Sequence, residues 1–233
     1  MAGTTSESKQ TYKCKYCGRE FRKESSIAVH LCEQKKRFQD KDSPASRIGF
    51  NNFLRFYEMT QGSAKQKTFD DFATSAYYKA FIKFGHYCVN ARVVNAERFA
   101  DWLLKTNKRI DHWGSDKLYA EFLGNWVFKE PATDAMARAL ETGVAWAYDT
   151  TNPTEDFLRY GNSNKICHFI TTGRVTGWTI FNCDSGHEFL ENLSQEQLEM
   201  VYDFIDPERW NKKLKDYPGD TEYVKEMLKQ AGW

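Results

Sequence analysis

A mainly α-helical chain with one small, self-contained N-terminal module is what this 233-residue sequence predicts. Three observations predict it. From about Ser43 onward the strong apolar periodicities are helical. Phe50, Phe53, Leu54 and Tyr57 fall at i, i+3, i+4 and i+7, and so do Tyr119, Phe122, Leu123 and Trp126. Leu198, Val201, Tyr202 and Ile205 repeat the pattern, and Tyr223, Val224, Met227, Leu228 and Ala231 form a last stripe. Helix-start signals agree with these stripes. Ser43-Pro44 and Asp206-Pro207 read as an N-cap followed by proline at the first helical position. Thr68 to Asp71 and Ser194 to Gln197 read as capping boxes. The third observation is local: Cys14, Cys17, His30 and Cys32 crowd into a short stretch near the N-terminus. Beyond that stretch there is no strand-like alternation, no Asn-Gly or Asp-Gly hairpin signal and no internal repeat.

The N-terminal stretch reads Tyr12-x-Cys14-x2-Cys17-x3-Phe21-x5-Ile27-x2-His30. Two thiolates two residues apart sit on a short knuckle, and a third ligand follows twelve residues later from a helix. Phe21 and Ile27 supply the small apolar core that so short a segment cannot otherwise build. The pattern resembles the C2H2 zinc finger family position for position as far as its first histidine. The resemblance implies a small ββα-type zinc finger with one structural zinc ion, followed here by an all-α multi-helix domain. It covers residues 12–32 only.

The fourth ligand departs from the family, which spaces its last pair as His-x3-5-His. Cys32 follows His30 by only two residues, a step of about 200° on a regular helix, so it points away from the metal unless the helix ends near Leu31. Gln34, at i+4, is no zinc ligand, and Glu33, at i+3, is a hard oxygen donor. Cys32 is therefore the best candidate, with a broken last helical turn as its consequence; water or a residue from elsewhere is the alternative.

The family's base-reading positions fall on Lys23, Ser26 and Val29, a weak reading head because Val29 offers only apolar contact. Net charge is +1 over the whole chain, yet residues 11–40 carry eight Lys/Arg against four Asp/Glu. The Lys35-Lys36-Arg37 run behind the finger is a candidate phosphate-facing patch, a solvated helix end being its bland counterpart. The candidate nucleic-acid contacts, to DNA or RNA, are thus Lys23, Ser26, Lys35, Lys36 and Arg37. A single finger buries too little surface for tight specific binding, so weak or non-specific contact is expected.

The rest of the chain offers little chemistry. Cys88, Cys167 and Cys183 read as buried free thiols. Cys167-His168 with Cys183 and His187 have metal-ligand residue types, but two helices and a loop would have to converge to unite them. His86 and His112 read as structural. The Thr172-Gly-Arg-Val-Thr-Gly177 stretch reads first as a helix-helix turn and only second as a phosphate-cradling loop. There is no P-loop, dinucleotide fingerprint, nucleophile elbow or deaminase pattern, so no enzyme is expected. With 15% aromatic residues and seven Trp, the expected use is core packing rather than a base-stacking platform.

The expected organisation is a disordered N-terminus at 1–10, a zinc finger at 11–34, a basic linker at 35–43 and an α-helical domain at 44–233. With no apolar run of 18 residues and a small, polar N-terminus, the expectation is an intracellular, cytoplasmic protein without membrane contact. The functional expectation is a zinc-finger accessory protein that touches nucleic acid through the finger and basic tail, while its helical domain binds a protein partner. Its rivals are a protein-protein adaptor with a purely structural finger and an unrecognised nucleic-acid-processing enzyme. Finger-plus-helices chains of this size also resemble accessory proteins of large tailed phages, which would place the protein in the host cell cytoplasm. That likeness includes no motif beyond the finger.

Overall fold

A computed structural model describes residues 11–62 and 66–233. The stretch 1–10, expected to be disordered, lies outside the described residues. The fold is mainly α, and the one sheet among the described residues pairs β1 (Tyr12–Lys13) with β2 (Glu20–Phe21). Two compact units emerge. One comprises the described residues up to Asn90 with Leu103–Trp113, and the other Ala91–Trp102 with Gly114–Trp233. The expected domain at 44–233 is therefore two units, because its aromatic residues gather around two cores.

The first unit holds α1 (Glu24–Ala28), α2 (Glu33–Gln39), α3 (Pro44–Gln61), α4 (Phe69–Thr74) and α5 (Tyr78–Asn90). Ser43 caps α3 through the Ser46 N–H at 3.2 Å, with Pro44 at its first position. The capping box at α4 is complete, with Thr68 N–H on Asp71 Oδ2 at 2.8 Å and Asp71 N–H on Thr68 Oγ1 at 3.3 Å. Helices α3 and α5 approach so closely that a Cβ at Gly85 would stand 2.1 Å from the Ala45 carbonyl oxygen. Phe53, Phe72, Phe81, Phe84 and Trp113 fill the core, and the Trp113 ring meets Phe81 edge-on at 5.8 Å.

The expected basic linker at 35–43 is corrected by α2. Cys32 caps this helix, Glu33 sits in its first turn, and its apolar side carries Phe38. The Phe38 ring lies 5.1 Å from Tyr16 and 5.4 Å from Phe69. A segment that joins the knuckle to α4 through two ring contacts is a packed helix, not a spacer.

The second unit contains α7 (Asp116–Trp126), α8 (Ala132–Thr150), α9 (Phe157–Tyr160) and α10 (Ser163–Thr171), then α11 (Gly177–Ile180) and α12 (Asp184–Glu191). It ends with α13 (Gln195–Ile205), α14 (Pro207–Asp216) and α15 (Pro218–Gln230), while α6 (Ala96–Lys105) begins in this unit and ends in the first. The α7 stripe buries Tyr119, Phe122 and Leu123 as expected. In α13 the buried face is Val201, Phe204 and Ile205, and Leu198 and Tyr202 stay exposed. The core holds Trp178 and Trp210 with ring centroids 5.7 Å apart.

A polar node lies inside this core. Glu130, 3% exposed, receives both terminal nitrogens of Arg138 at 2.7 and 2.6 Å. Its backbone carbonyl accepts from Lys213 Nζ at 2.9 Å. No helix among the described residues is long and apolar enough to cross a membrane.

Candidate metal centre

The knuckle forms because β1 and β2 pair antiparallel, Tyr12 opposite Phe21 and Lys13 opposite Glu20. The turn between them closes with Cys14 N–H on the Arg19 carbonyl at 2.8 Å and Gly18 N–H on the Cys14 carbonyl at 2.9 Å. Gly18 takes φ +72°, a left-handed conformation that glycine adopts at little cost. This turn folds Cys14 and Cys17 back toward each other.

Helix α1 ends at Ala28. His30 lies just past its end, with its N–H on the Ile27 carbonyl at 3.2 Å. The Phe21 ring rests 4.7 Å from the imidazole and orients it. The chain then extends through Leu31, and Cys32 opens α2 as its N-cap in extended conformation. The break near Leu31 that Cys32 needs is present.

These turns bring Cys14, Cys17, His30 and Cys32 together, with all four donor atoms within 4.8 Å of one another. Cys14 Sγ lies 4.0 Å from Cys32 Sγ, and Cys17 Sγ lies 3.3 Å from His30 Nε2. Donors around a tetrahedral zinc, with Zn–S near 2.3 Å and Zn–N near 2.0 Å, stand about 3.5–3.8 Å apart. The residues fit a four-coordinate metal ion. Among the described residues no other group of His, Cys, Asp and Glu converges in this way.

Local hydrogen bonds favour a thiolate at Cys14. The Cys14 thiol is lowered from 9.0 to about 7, chiefly by the Cys17 backbone N–H and against the effect of burial. Cys17 is drawn down by the Arg19 backbone N–H, but burial and the neighbouring sulfurs of Cys32 and Cys14 carry it upward overall. Two thiols that interact this closely favour loss of one proton first, and a cation between them removes the conflict. Cys32 Sγ accepts the Lys35 N–H at 3.4 Å, and Lys35 Nζ donates to the His30 carbonyl at 3.1 Å. Lys35 thus fastens both His30 and Cys32 from the first turn of α2.

The expected nucleic-acid contacts divide. Lys23, the N-cap of α1, and Ser26 within it are exposed; α1 buries no residue, and Val29 is 82% exposed. Lys36 is exposed as well. Lys35 is half-buried on the His30 carbonyl. Arg37 turns inward, donating to the Ala73 carbonyl at 2.6 Å, lying 4.2 Å from the Tyr78 ring and pairing with Glu33 at 3.4 Å. This role for Arg37 has no signature in the local sequence. Phe38, an aromatic residue just after a basic run, was the available hint that the run packs against something.

The other singled-out residues stay apart. Cys167 and Cys183 are buried, and burial raises both thiols, while His168 and His187 are exposed. Burial carries Cys88 to about 12. His86 and His112 are exposed. In the 172–177 turn the N–H groups of Thr172, Gly173, Arg174 and Val175 all bond to α10 carbonyls, so they form no phosphate cradle. Compared with known proteins, the chain matches no family model, no curated protein and no solved structure.

Proposed function

We propose that the N-terminal module is a structural zinc site and that its outward face contacts a nucleic-acid backbone weakly and without sequence preference. The observation that carries the zinc assignment is the convergence of three cysteine sulfurs and one imidazole. That donor set suits zinc, and four protein ligands leave no open position for catalysis. Lys23, Ser26, Lys36 and the C2H2-like register of α1 support the nucleic-acid reading, since these three side chains are exposed. Contact with a protein partner through the helical units remains part of this reading.

Because Lys35 and Arg37 are held internally, Lys23 and Lys36 carry the proposed contact. Two phosphate contacts give a log-log salt slope of about −1.8, roughly a 12-fold loss of affinity between 50 and 200 mM salt. Changing Lys23 and Lys36 together to Gln should weaken binding to all sequences alike and flatten that slope. The second reading, a protein-protein adaptor, is favoured by the exposed Val29 and Leu31 that flank His30. Zinc-loaded protein that binds neither duplex nor single strand, DNA or RNA, at 50 mM salt would leave the adaptor standing.

A further inference from the structure

The second unit contains a cleft of about 710 Å³ between α8, α10 and the Arg92–Val94 segment. Four cationic side chains line it: Arg92, Arg138, Lys165 and Arg174. Arg138 is neutralised by Glu130. Arg92, Lys165 and Arg174 have no carboxylate at ion-pair distance among the described residues. Arg174 Nε is buried without a hydrogen-bond partner, a costly state for a charged group unless something else satisfies it. The Arg174 guanidinium and the Lys165 ammonium lie 5.3 and 5.9 Å from the same Phe169 ring.

Other residues fix this arrangement. The Tyr119 hydroxyl accepts the Val94 N–H at 2.9 Å and donates to the Thr172 carbonyl at 3.2 Å, which ties the two cation-bearing segments together. Arg138 Nε donates to the Gly173 carbonyl at 2.7 Å. Gly173, at φ +76°, has no room for a side chain, since a Cβ would meet Leu123 at 2.8 Å and Val94 at 3.0 Å. Arg92 itself is held at φ +48°, a left-handed conformation that disfavours arginine. Burial, and then the charge of the exposed Arg92, lower the Arg174 guanidinium from its ordinary value, so Arg174 is partly desolvated and feels a like charge across the cleft.

We propose that this cleft binds a phosphate-bearing small ligand of mononucleotide size, with Arg174, Arg92 and Lys165 on the phosphate. Its volume falls in the range of small-molecule sites. Guanidinium groups match phosphate oxygens in pairs, and an anion would satisfy Arg174 Nε and relieve the repulsion between the arginines. Glu141 and Asp149, which line the same cleft, are acceptors for the hydroxyl or amino groups of a nucleoside. The buried Trp146 and Phe169 and the flanking Val93 and Val94 supply its apolar wall. This reading stands independently of the metal centre.

The test is calorimetric titration of the zinc-loaded 233-residue chain with AMP, inorganic phosphate, adenosine and a single-stranded oligonucleotide. AMP should bind and adenosine should not. Inorganic phosphate that binds as tightly as AMP would support the phosphate site and identify free phosphate as its source. Arg174→Gln should weaken AMP binding about tenfold or more, as expected for loss of a charge-assisted pair. Because Arg174 is partly buried, Arg92→Gly provides a second variant. It should weaken AMP binding while leaving the melting temperature unchanged or raised, since glycine accepts the left-handed backbone. Lys23→Gln/Lys36→Gln should leave AMP binding intact. Absence of AMP and phosphate binding at millimolar concentration, binding indifferent to both arginine variants, or Arg174-dependent binding of the oligonucleotide alone would overturn the proposal.

Discussion

Cys32 shows how much one residue decides. Its thiol serves two neighbours at once, accepting the Lys35 N–H at 3.4 Å and lying 4.0 Å from Cys14 Sγ. If it is the fourth ligand, Cys32→Ser should weaken metal binding nearly as much as Cys17→Ser, and Glu33→Gln should change it little, as read by competition with a chromophoric chelator. The reverse order would put the fourth ligand elsewhere. Lys213 makes a second prediction. Burial lowers its ammonium from 10.5 to about 8, opposed by the charges of Glu130 and Asp220, although Trp178 and Trp210 lie 4.8 and 5.4 Å from it. Below about pH 8 the lysine is protonated in both folded and unfolded chains. Between pH 8 and 10.5 the unfolded chain holds a proton that the folded one has lost, so the Lys213 contribution to stability rises with pH across that window. Denaturant melts of wild type and Lys213→Met should therefore diverge in favour of wild type from pH 8 to 10.5, and a constant difference would contradict the assignment.

At the scale of elements, caps were legible and packing partners were not. Ser43, Thr68, Ser194 and Asp206 each accept the N–H bonds their positions implied. Such bonds are made within a few residues, so spacing is enough to reveal them. Helix α2 was illegible because its partners, Tyr16 and Phe69, are remote from the Lys35–Arg37 run in sequence. The α13 face was legible only in part: Val201 and Ile205 point inward as the stripe implied, but Phe204 replaces Leu198 and Tyr202 on the buried side. Periodicity gives the pitch of a helix, and its phase depends on what it meets. The approach of α3 and α5 was equally hidden. A methyl at Gly85 has no free volume beside the Ala45 carbonyl, so Gly85→Ala should force the helices apart and destabilise the first unit by about 1–3 kcal/mol or more. Urea denaturation checks this, and an unchanged midpoint would contradict the packing.

The described residues divide into two compact units, each with its own aromatic core, and the Cys/His cluster belongs to the first. The four residues of the Cys/His cluster were legible in the sequence because donor chemistry and spacing are local. The Arg92–Arg174 cleft was not, because its cations come from segments some eighty residues apart that Tyr119 joins in space. If zinc holds the knuckle and α1 in place, chelation should unfold that module, while the helices of the second unit, whose core does not include it, keep their far-UV signal. The proposed function rests on that ion. The most direct measurement is elemental analysis of the purified protein, wild type beside Cys14→Ser. The account predicts one zinc per chain in the wild type and none in the variant; no zinc in the wild type, or one that survives Cys14→Ser, would contradict it.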